Sequence, residues 1–299
     1  MSTNTGILVV GHGSKLPYNK EVVTKLAEKL DKRIDNIVES GFMELVEPNI
    51  STQVDKLKNQ DVEKIIVVPA FLAHGVHTKV DIPTILRLPH EELEHSHSHT
   101  HSHSHSHEHH HHHHHHHHGD QREAKSELIN FDGEVIFLKP FEEDDKVVDV
   151  VERRINKIIQ KEEINKDNTG ILLIGHGSSL PYGKIVMEGV LNKLKERLPE
   201  YEIEQSYMRI ETPSIPESFK KLQDNGFENI ITMPVFLADG LHTKSDIPLT
   251  LGLEADKLDF EYPKKEKQID YDGNIIYLDP LKDADELVDM IEDRITKYL

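Results

Sequence analysis

GILVVGHGSKLPY occupies residues 6–18, and 164 residues later GILLIGHGSSLPY occupies residues 170–182. Each stretch opens on a short apolar run, 7–10 and 171–174, made of Ile, Leu and Val and stopped by glycine. Such a run reads as a strand buried on both faces, the kind that parallel sheets contain. The repetition extends well beyond it. KIIVVPAFLAHGVHTKVDIP at 64–83 returns as NIITMPVFLADGLHTKSDIP at 229–248, an offset of 165, and FDGEVIFLKPF at 131–141 returns as YDGNIIYLDPL at 271–281, an offset of only 140. Three blocks repeated in one order mark a duplication of the whole unit. The drop in offset places a single insertion between Pro83 and Phe131, where a histidine tract sits.

Outward from these blocks, each copy alternates strands with helices. Residues 65–68 (with 71–72), 135–138, 230–233 and 275–278 read as further buried strands, and 20–39, 145–160, 184–198 and 284–298 carry helical patterns. The charged stretch 161–169 reads as a linker. The expectation is an α/β protein of two tandem, doubly wound domains with parallel sheets, 1–160 and 170–299. Two such units in one chain pack as a pseudo-two-fold pseudo-dimer, imitating the commonest homo-oligomer. The predicted state is therefore monomeric, with further self-association open.

Composition narrows the chemistry. Cysteine is absent from the 299 residues, which excludes disulfides, thiolate metal sites and cysteine nucleophiles. A metal would have to be held by imidazole or carboxylate, donors that suit nickel, cobalt, zinc or iron. The net charge of −19 argues against a nucleic-acid partner and gives an anionic substrate no long-range attraction. Neither a signal peptide nor an apolar span is legible, so no membrane partner and a cytoplasmic location are expected.

Ligands of open parallel sheets bind beyond the carboxyl ends of the strands. His12 follows the first strand directly, His77 follows the strand and turn of the second block, and His176 and His242 repeat the pair. Outside the tract only six histidines remain, and four of them are these. A strand–turn–helix junction with a surface histidine is the bland reading of one GHGS; its retention in both copies favours a site. Neutral imidazole binds divalent metals and accepts protons near neutral pH, and the spacing leaves open which ring does which. Ser14 and Ser178 sit where a helix can begin and its free N–H groups could receive a carboxylate. Lys79 and Lys244 either extend into solvent or meet substrate carboxylates, as do Lys15, Lys20, Arg87 and Lys184. Asp81, before Ile82-Pro83, reads as a helix N-cap.

The tract at 95–118 holds 17 of the 23 histidines. From His95 it passes through His97, His99, His101, His103, His105 and His107, mostly alternating with Ser, into ten consecutive histidines that begin with His109 and His110. Such density chelates and buffers metal. The second copy lacks it, so it is read as accessory.

These residues together resemble the class II chelatases of sirohydrochlorin metabolism, over both halves almost end to end. The resemblance is carried by strand-GHGS-x-LPY, by VVPAFLAHGVHTKVDIP, by FMELVEP at 42–48 and by the histidine-rich loop. It implies insertion of Ni2+ or Co2+ into sirohydrochlorin, a polycarboxylate, by a lyase-class enzyme without a permanently bound cofactor, on the way to cobalamin or to the nickel tetrapyrrole of methanogenesis. It also implies that His12, His77, His176 and His242 are the catalytic and metal-binding residues. Glu44 is a further candidate ligand in one copy only, because Arg209 stands in its place in the other, as Asp239 stands in place of His74. Two working sites are expected, the first better equipped. The rival readings are a nickel or cobalt store or chaperone acting through the tract, and a ferrochelatase making siroheme. A GxSxG hydrolase is not supported, since GHGS lacks that nucleophile turn.

Overall fold

The computed structural model describes residues 4–90, 127–256 and 269–299; the tract lies outside them. The first copy runs β1 (Thr5–Gly11), α1 (Pro17–Asp31), β2 (Ile37–Phe42), α2 (Ile50–Lys58), β3 (Lys64–Pro69), a π-turn (His77–Asp81) continuing into α3 (Ile82–Ile85), β4 (Glu134–Phe137) and α4 (Asp145–Lys161). After a 3-10 turn at Lys166–Asn168 the second repeats it as β5 (Thr169–Gly175), α5 (Tyr182–Arg197), β6 (Glu202–Tyr207), α6 (Ile215–Asp224), β7 (Asn229–Pro234), a π-turn (His242–Asp246), α7 (Ile247–Thr250), β8 (Asn274–Tyr277) and α8 (Asp285–Ile295). The sheets are wholly parallel, in the orders β2-β1-β3-β4 and β6-β5-β7-β8. This is the doubly wound pair that the repeats imply.

Period-two alternation divides each central strand between two cores. Leu8 and Val10 face α2 and α3, and Leu172 and Ile174 face α6 and α7. Ile7, Val9, Ile171 and Leu173 face inward, into one continuous core shared by the two copies. Helices α1, α4, α5 and α8 build that seam, burying Leu26, Leu30, Val147, Val151, Leu194, Leu287 and Ile291. Each such side chain contributes about 1.5–3 kcal/mol, against about 0.2–1 kcal/mol for an exposed ion pair. Apolar burial therefore holds the halves together, and charge sets their register.

That register is two-fold. Lys29 of α1 pairs with Asp283 and Asp285, and Lys193 of α5 reaches the Glu143 carbonyl and Asp145. Arg33 meets Asp289 and Glu292, and Arg197 meets Asp149 and Glu152. Arg154 donates to the Leu281 carbonyl, while Arg294 donates to the carbonyls of Pro140 and Phe141. Each pair is related by the sequence offsets of the duplication.

Two expectations needed correction. The helix read over 20–39 ends at Asp31, and residues 37–42 are strand β2. That strand and β6 pair on one side only and are half-buried, so Glu39, Ser40, Glu204 and Gln205 dilute the apolar run that marks a central strand. Residues 71–72 lie beyond β3, in the turn leading to the π-turn. Helices α2 and α6 add to the reading; α6 carries a legible capping box, Ser214 with Glu217.

Candidate active site

β1 and β3 are neighbours at the centre of the sheet, and the chain leaves β1 towards β2 on one side and β3 on the other. The crevice of a doubly wound sheet opens at such a switch point. His12 follows β1 and His77 begins the π-turn beyond β3, so both rings reach it. The glycine after each first histidine has a steric cause. Gly13 and Gly177 have φ of +92° and +81°, and a Cβ there would lie 1.8 Å from the carbonyl oxygens of Glu44 and Arg209. No side chain fits. The loop after β2 is thereby locked against the histidine loop, with the Met43 and Glu44 N–H groups donating to the carbonyls of Gly11 and His12. Leu45 and Ile210 adopt left-handed backbone at φ 68° and 67°, a strained conformation for bulky residues.

In the first copy, His12 Nδ1 lies 2.7 Å from the Gly13 carbonyl and His77 Nδ1 lies 2.7 Å from Asp81 Oδ2. Both acceptors demand an N–H, so in the neutral rings Nε2 carries the lone pair. The two Nε2 atoms stand 3.1 Å apart, the rings edge-to-face with centroids 4.5 Å apart. Lone pairs converging at that distance repel unless a proton or a cation lies between them. With metal–nitrogen bonds of about 2.1 Å, the 3.1 Å separation corresponds to an N–metal–N angle of about 95°. Glu44 Oε1 is 3.6 Å from His12 Nε2, near enough to balance charge. Among the described residues no group of three or more His, Asp or Glu side chains is arranged to enclose a metal. What the geometry offers is an open, two-nitrogen perch.

The second copy keeps the residues and changes the electrostatics. His176 Nδ1 meets the Gly177 carbonyl at 2.8 Å, and His242 Nδ1 meets Asp246 Oδ2 at 2.7 Å. Arg209, however, donates through Nη2 to His176 Nε2 at 2.7 Å, and the imidazoles stand 5.2 Å apart between centroids. Loss of hydration against the cleft wall, then the charges of Arg209 and His242, hold the His176 pKa below the ordinary imidazole value, despite the raising effect of the Gly177 carbonyl.

The two copies line one cavity of about 350 Å³, with His12, Phe71 and His74 on one side and His176, Ser178, Met187 and Phe236 on the other. Pockets of this size and apolar character suit a small molecule. Ser14 Oγ and Ser178 Oγ each accept the backbone N–H two residues on, Leu16 and Leu180, and α1 and α5 begin only at Pro17 and Tyr182. Neither serine starts a helix, contrary to expectation. His77, His242, Glu44, Arg209, Lys79 and Lys244 lie outside this wall. Lys79 stacks over the Tyr182 ring of the other copy at 5.4 Å, and Lys244 is tied to Asp239 and Asp256. Asp81 has helical backbone and makes no cap bond; it holds His77, a role that the His-x-x-x-Asp spacing could have suggested. His74 approaches Glu142 at 3.6 Å, whereas Asp239 meets Lys282 at 3.1 Å. His97, His99, His101, His103, His105, His107, His109 and His110 fall outside the described residues. Among the described residues no helix is long and apolar enough to cross a membrane.

Comparison with known proteins agrees with the duplication. A family model described as CbiX matches twice, over residues 6–158 and 170–298. A sirohydrochlorin cobaltochelatase of Methanococcus aeolicus is 51% identical over 146 residues, covering 48% of this chain and 93% of that protein. One of Methanocaldococcus jannaschii is 49% identical over the same shares. One of Methanopyrus kandleri is 54% identical over 86 residues, 28% of this chain and 60% of that protein. Relatives matched over nearly their full length thus correspond to about half of this chain. In fold, SirB from Bacillus subtilis with Fe3+ superposes with a TM-score of 0.66 at 21% identity, over 99% of this chain and 95% of that one.

Proposed function

Since the chain belongs to the CbiX family, we propose that it inserts a divalent metal into sirohydrochlorin, with Co2+ or Ni2+ as the metal substrate and His12 and His77 as the residues that deliver it. The observation that carries the reading is the pair of Nε2 lone pairs, 3.1 Å apart, with His12 lining the cavity shared by the copies. Cobalt is favoured by the names of the relatives; imidazole donors themselves do not separate nickel from cobalt.

The reaction exchanges one dication for two protons: four pyrrolic nitrogens take the metal, and two of them surrender N–H protons. His12 and His77 suit both halves of that exchange. An open two-nitrogen perch holds a metal without enclosing it, so the macrocycle can approach the vacant coordination positions. When the metal passes to the ring, both Nε2 lone pairs become free to accept the departing protons, and the charge of the site is conserved. Asp81 supports the His77 imidazolium so formed, and Glu44 lies within reach of His12. The apolar walls, Phe71 and Phe236 among them, suit the flat face of a macrocycle.

The test is to follow the absorption change on incubating the protein anaerobically with sirohydrochlorin and Co2+, Ni2+ or Fe2+ in parallel. Wild type is expected to exceed the uncatalysed rate, and His12→Ala and His77→Ala to abolish the excess. No acceleration with any metal would refute the reading. Deleting 95–118 separates it from a metal store: a chelatase retains insertion at high cobalt, whereas a store loses its function with the tract.

A further inference from the structure

The second copy departs from the first at the atom that matters most. His176 Nε2 is the counterpart of the His12 nitrogen that faces His77, yet its lone pair is occupied by the Arg209 guanidinium at 2.7 Å. A metal could use this nitrogen only by displacing a cation and then sitting beside it. The residue at the same position in the first copy is Glu44, so the exchange reverses the charge beside His12 and His176, the two histidines that line the shared cavity.

Arg209 also differs from the four arginines that pair across the seam. Arg33, Arg153, Arg197 and Arg294 each pair with a carboxylate of the opposite copy. Arg209 is exposed, and among the described residues its side chain bonds His176, a ring whose pKa is held low. Arg209 thus presents its charge to solvent and to the imidazole, in a chain with 54 Asp and Glu against 35 Lys and Arg. A guanidinium presents five N–H donors in a planar fork matched to carboxylate, and the imidazole employs only Nη2. The turn that carries it is also unusual. Ile210 is 68% exposed and held at φ 67°, where a β-branched residue is strained. Lys79 and Lys244, the lysines expected to meet the substrate, are already engaged, Lys79 over Tyr182 and Lys244 with Asp239 and Asp256.

We propose that Arg209, braced on His176, is a carboxylate-binding site that anchors the tetrapyrrole by an acidic side chain, leaving His12 and His77 as the single metal-insertion centre of the chain. This rests on the functional reading above and assigns the copies different tasks. A polycarboxylate entering the cavity is drawn to Arg209 and repelled by Glu44, which fixes which edge of the ring lies against which copy. The first copy supplies metal and the second holds the ring.

The experiment uses the full chain and metal-free sirohydrochlorin. Its binding is titrated by macrocycle fluorescence, and cobalt insertion is followed separately with each substrate varied. A charge-assisted contact of this kind corresponds to about 10–100-fold in affinity. Arg209→Ala is expected to raise the Kd and KM for the tetrapyrrole by that factor, Arg209→Lys by less and Arg209→Glu by more, with KM for Co2+ unmoved. His12→Ala alone is expected to abolish insertion although His176 and His242 remain. Unchanged tetrapyrrole affinity in Arg209→Ala, a rise in KM for Co2+ instead, or substantial residual insertion in His12→Ala would each overturn the proposal, as would failure of wild type to bind the tetrapyrrole. If wild type binds it but inserts no metal, the functional reading fails, while the Arg209 titration still decides the binding site.

Discussion

Replacing Asp81 by Asn tests whether the His77 nitrogen is a metal donor. Asp81 Oδ2 accepts from Nδ1 at 2.7 Å, which fixes the tautomer that leaves Nε2 free and makes that nitrogen a stronger donor. Asn can keep a hydrogen bond but not the charge. Loss of such support lowers metal affinity by about 10–100-fold, or about 1.4–2.7 kcal/mol. The His77 and Asp81 side chains are 41% and 40% exposed, so water screens the pair and the lower end applies. KM for Co2+ should rise about 10-fold by that reasoning. It is read from initial rates at saturating sirohydrochlorin with buffered free cobalt. Asp246→Asn is the internal control. It removes the same charge from the equivalent 2.7 Å contact to His242, in a less exposed setting of 30% and 13%. If these aspartates merely hold their turns, Asp246→Asn costs more thermal stability and neither variant moves KM for cobalt. If the first copy alone handles metal, Asp81→Asn raises KM and Asp246→Asn does not. An unchanged KM in Asp81→Asn, or equal rises in both, refutes the assignment.

Three further outcomes are expected. Arg294→Ala should destabilise the protein by about 3 kcal/mol in denaturant titration, because its 14% exposed side chain bonds the carbonyls of Pro140 and Phe141 and Asp144; Arg197→Ala, which loses only carboxylate contacts, should cost about 1 kcal/mol. Tyr207→Phe should be neutral or stabilising by about 1 kcal/mol, since the Tyr207 hydroxyl is buried without a partner, with burial pushing its pKa up to about 12, and Phe42 fills the equivalent place in the first copy; a loss of stability would reveal a hydroxyl partner. His176 has its folded pKa below the unfolded value of about 6.5, so the unfolded chain binds the proton more readily. Its contribution is present above that pH and is lost as pH falls through the folded value. Thermal midpoints of wild type should therefore fall more on acidification than those of His176→Gln, and parallel curves would refute this.

The features legible in the sequence are those that depend on local pattern or on duplication. The central strands β1, β3, β5 and β7 are buried on both faces and so read as apolar runs, whereas Glu39 and Ser40 hide β2 because an edge strand keeps one side half open. What Gly13 and Gly177 face, the Glu44 or Arg209 carbonyl, depends on how the loop after β2 or β6 returns over β1 or β5, which GHG itself does not encode. Asp81 was read as a cap because Ile82-Pro83 follows it, and the π-turn that points it at His77 has no comparable signature. Glu44 against Arg209 was visible as a difference, but the 2.7 Å bond to His176 that gives it meaning was not.

The pattern of what the copies keep and what they change is itself informative. At the seam, Arg33 and Arg197, and Lys29 and Lys193, retain the contacts that two identical subunits would make, and Arg154 and Arg294 keep the equivalent bond to the Leu281 and Phe141 carbonyls. Around the cavity the charges diverge: Glu44 to Arg209, His74 to Asp239, and the Lys139–Glu142 pair to its reverse, Asp279–Lys282. An isologous dimer of identical chains cannot do this, because a charge placed on one side of the two-fold axis recurs on the other. Joining the copies in one chain removes that constraint while leaving the packing that holds them. An acidic and a basic residue can then face one ligand from opposite sides, a distinction of use for a polyanionic ring that must meet a metal dication on one face only. If that is why the sites diverged, restoring symmetry with Arg209→Glu should weaken tetrapyrrole binding without loosening the seam. Kd should rise while the thermal midpoint stays in place, and a fall in the midpoint without a change in Kd would show that Arg209 serves the fold instead.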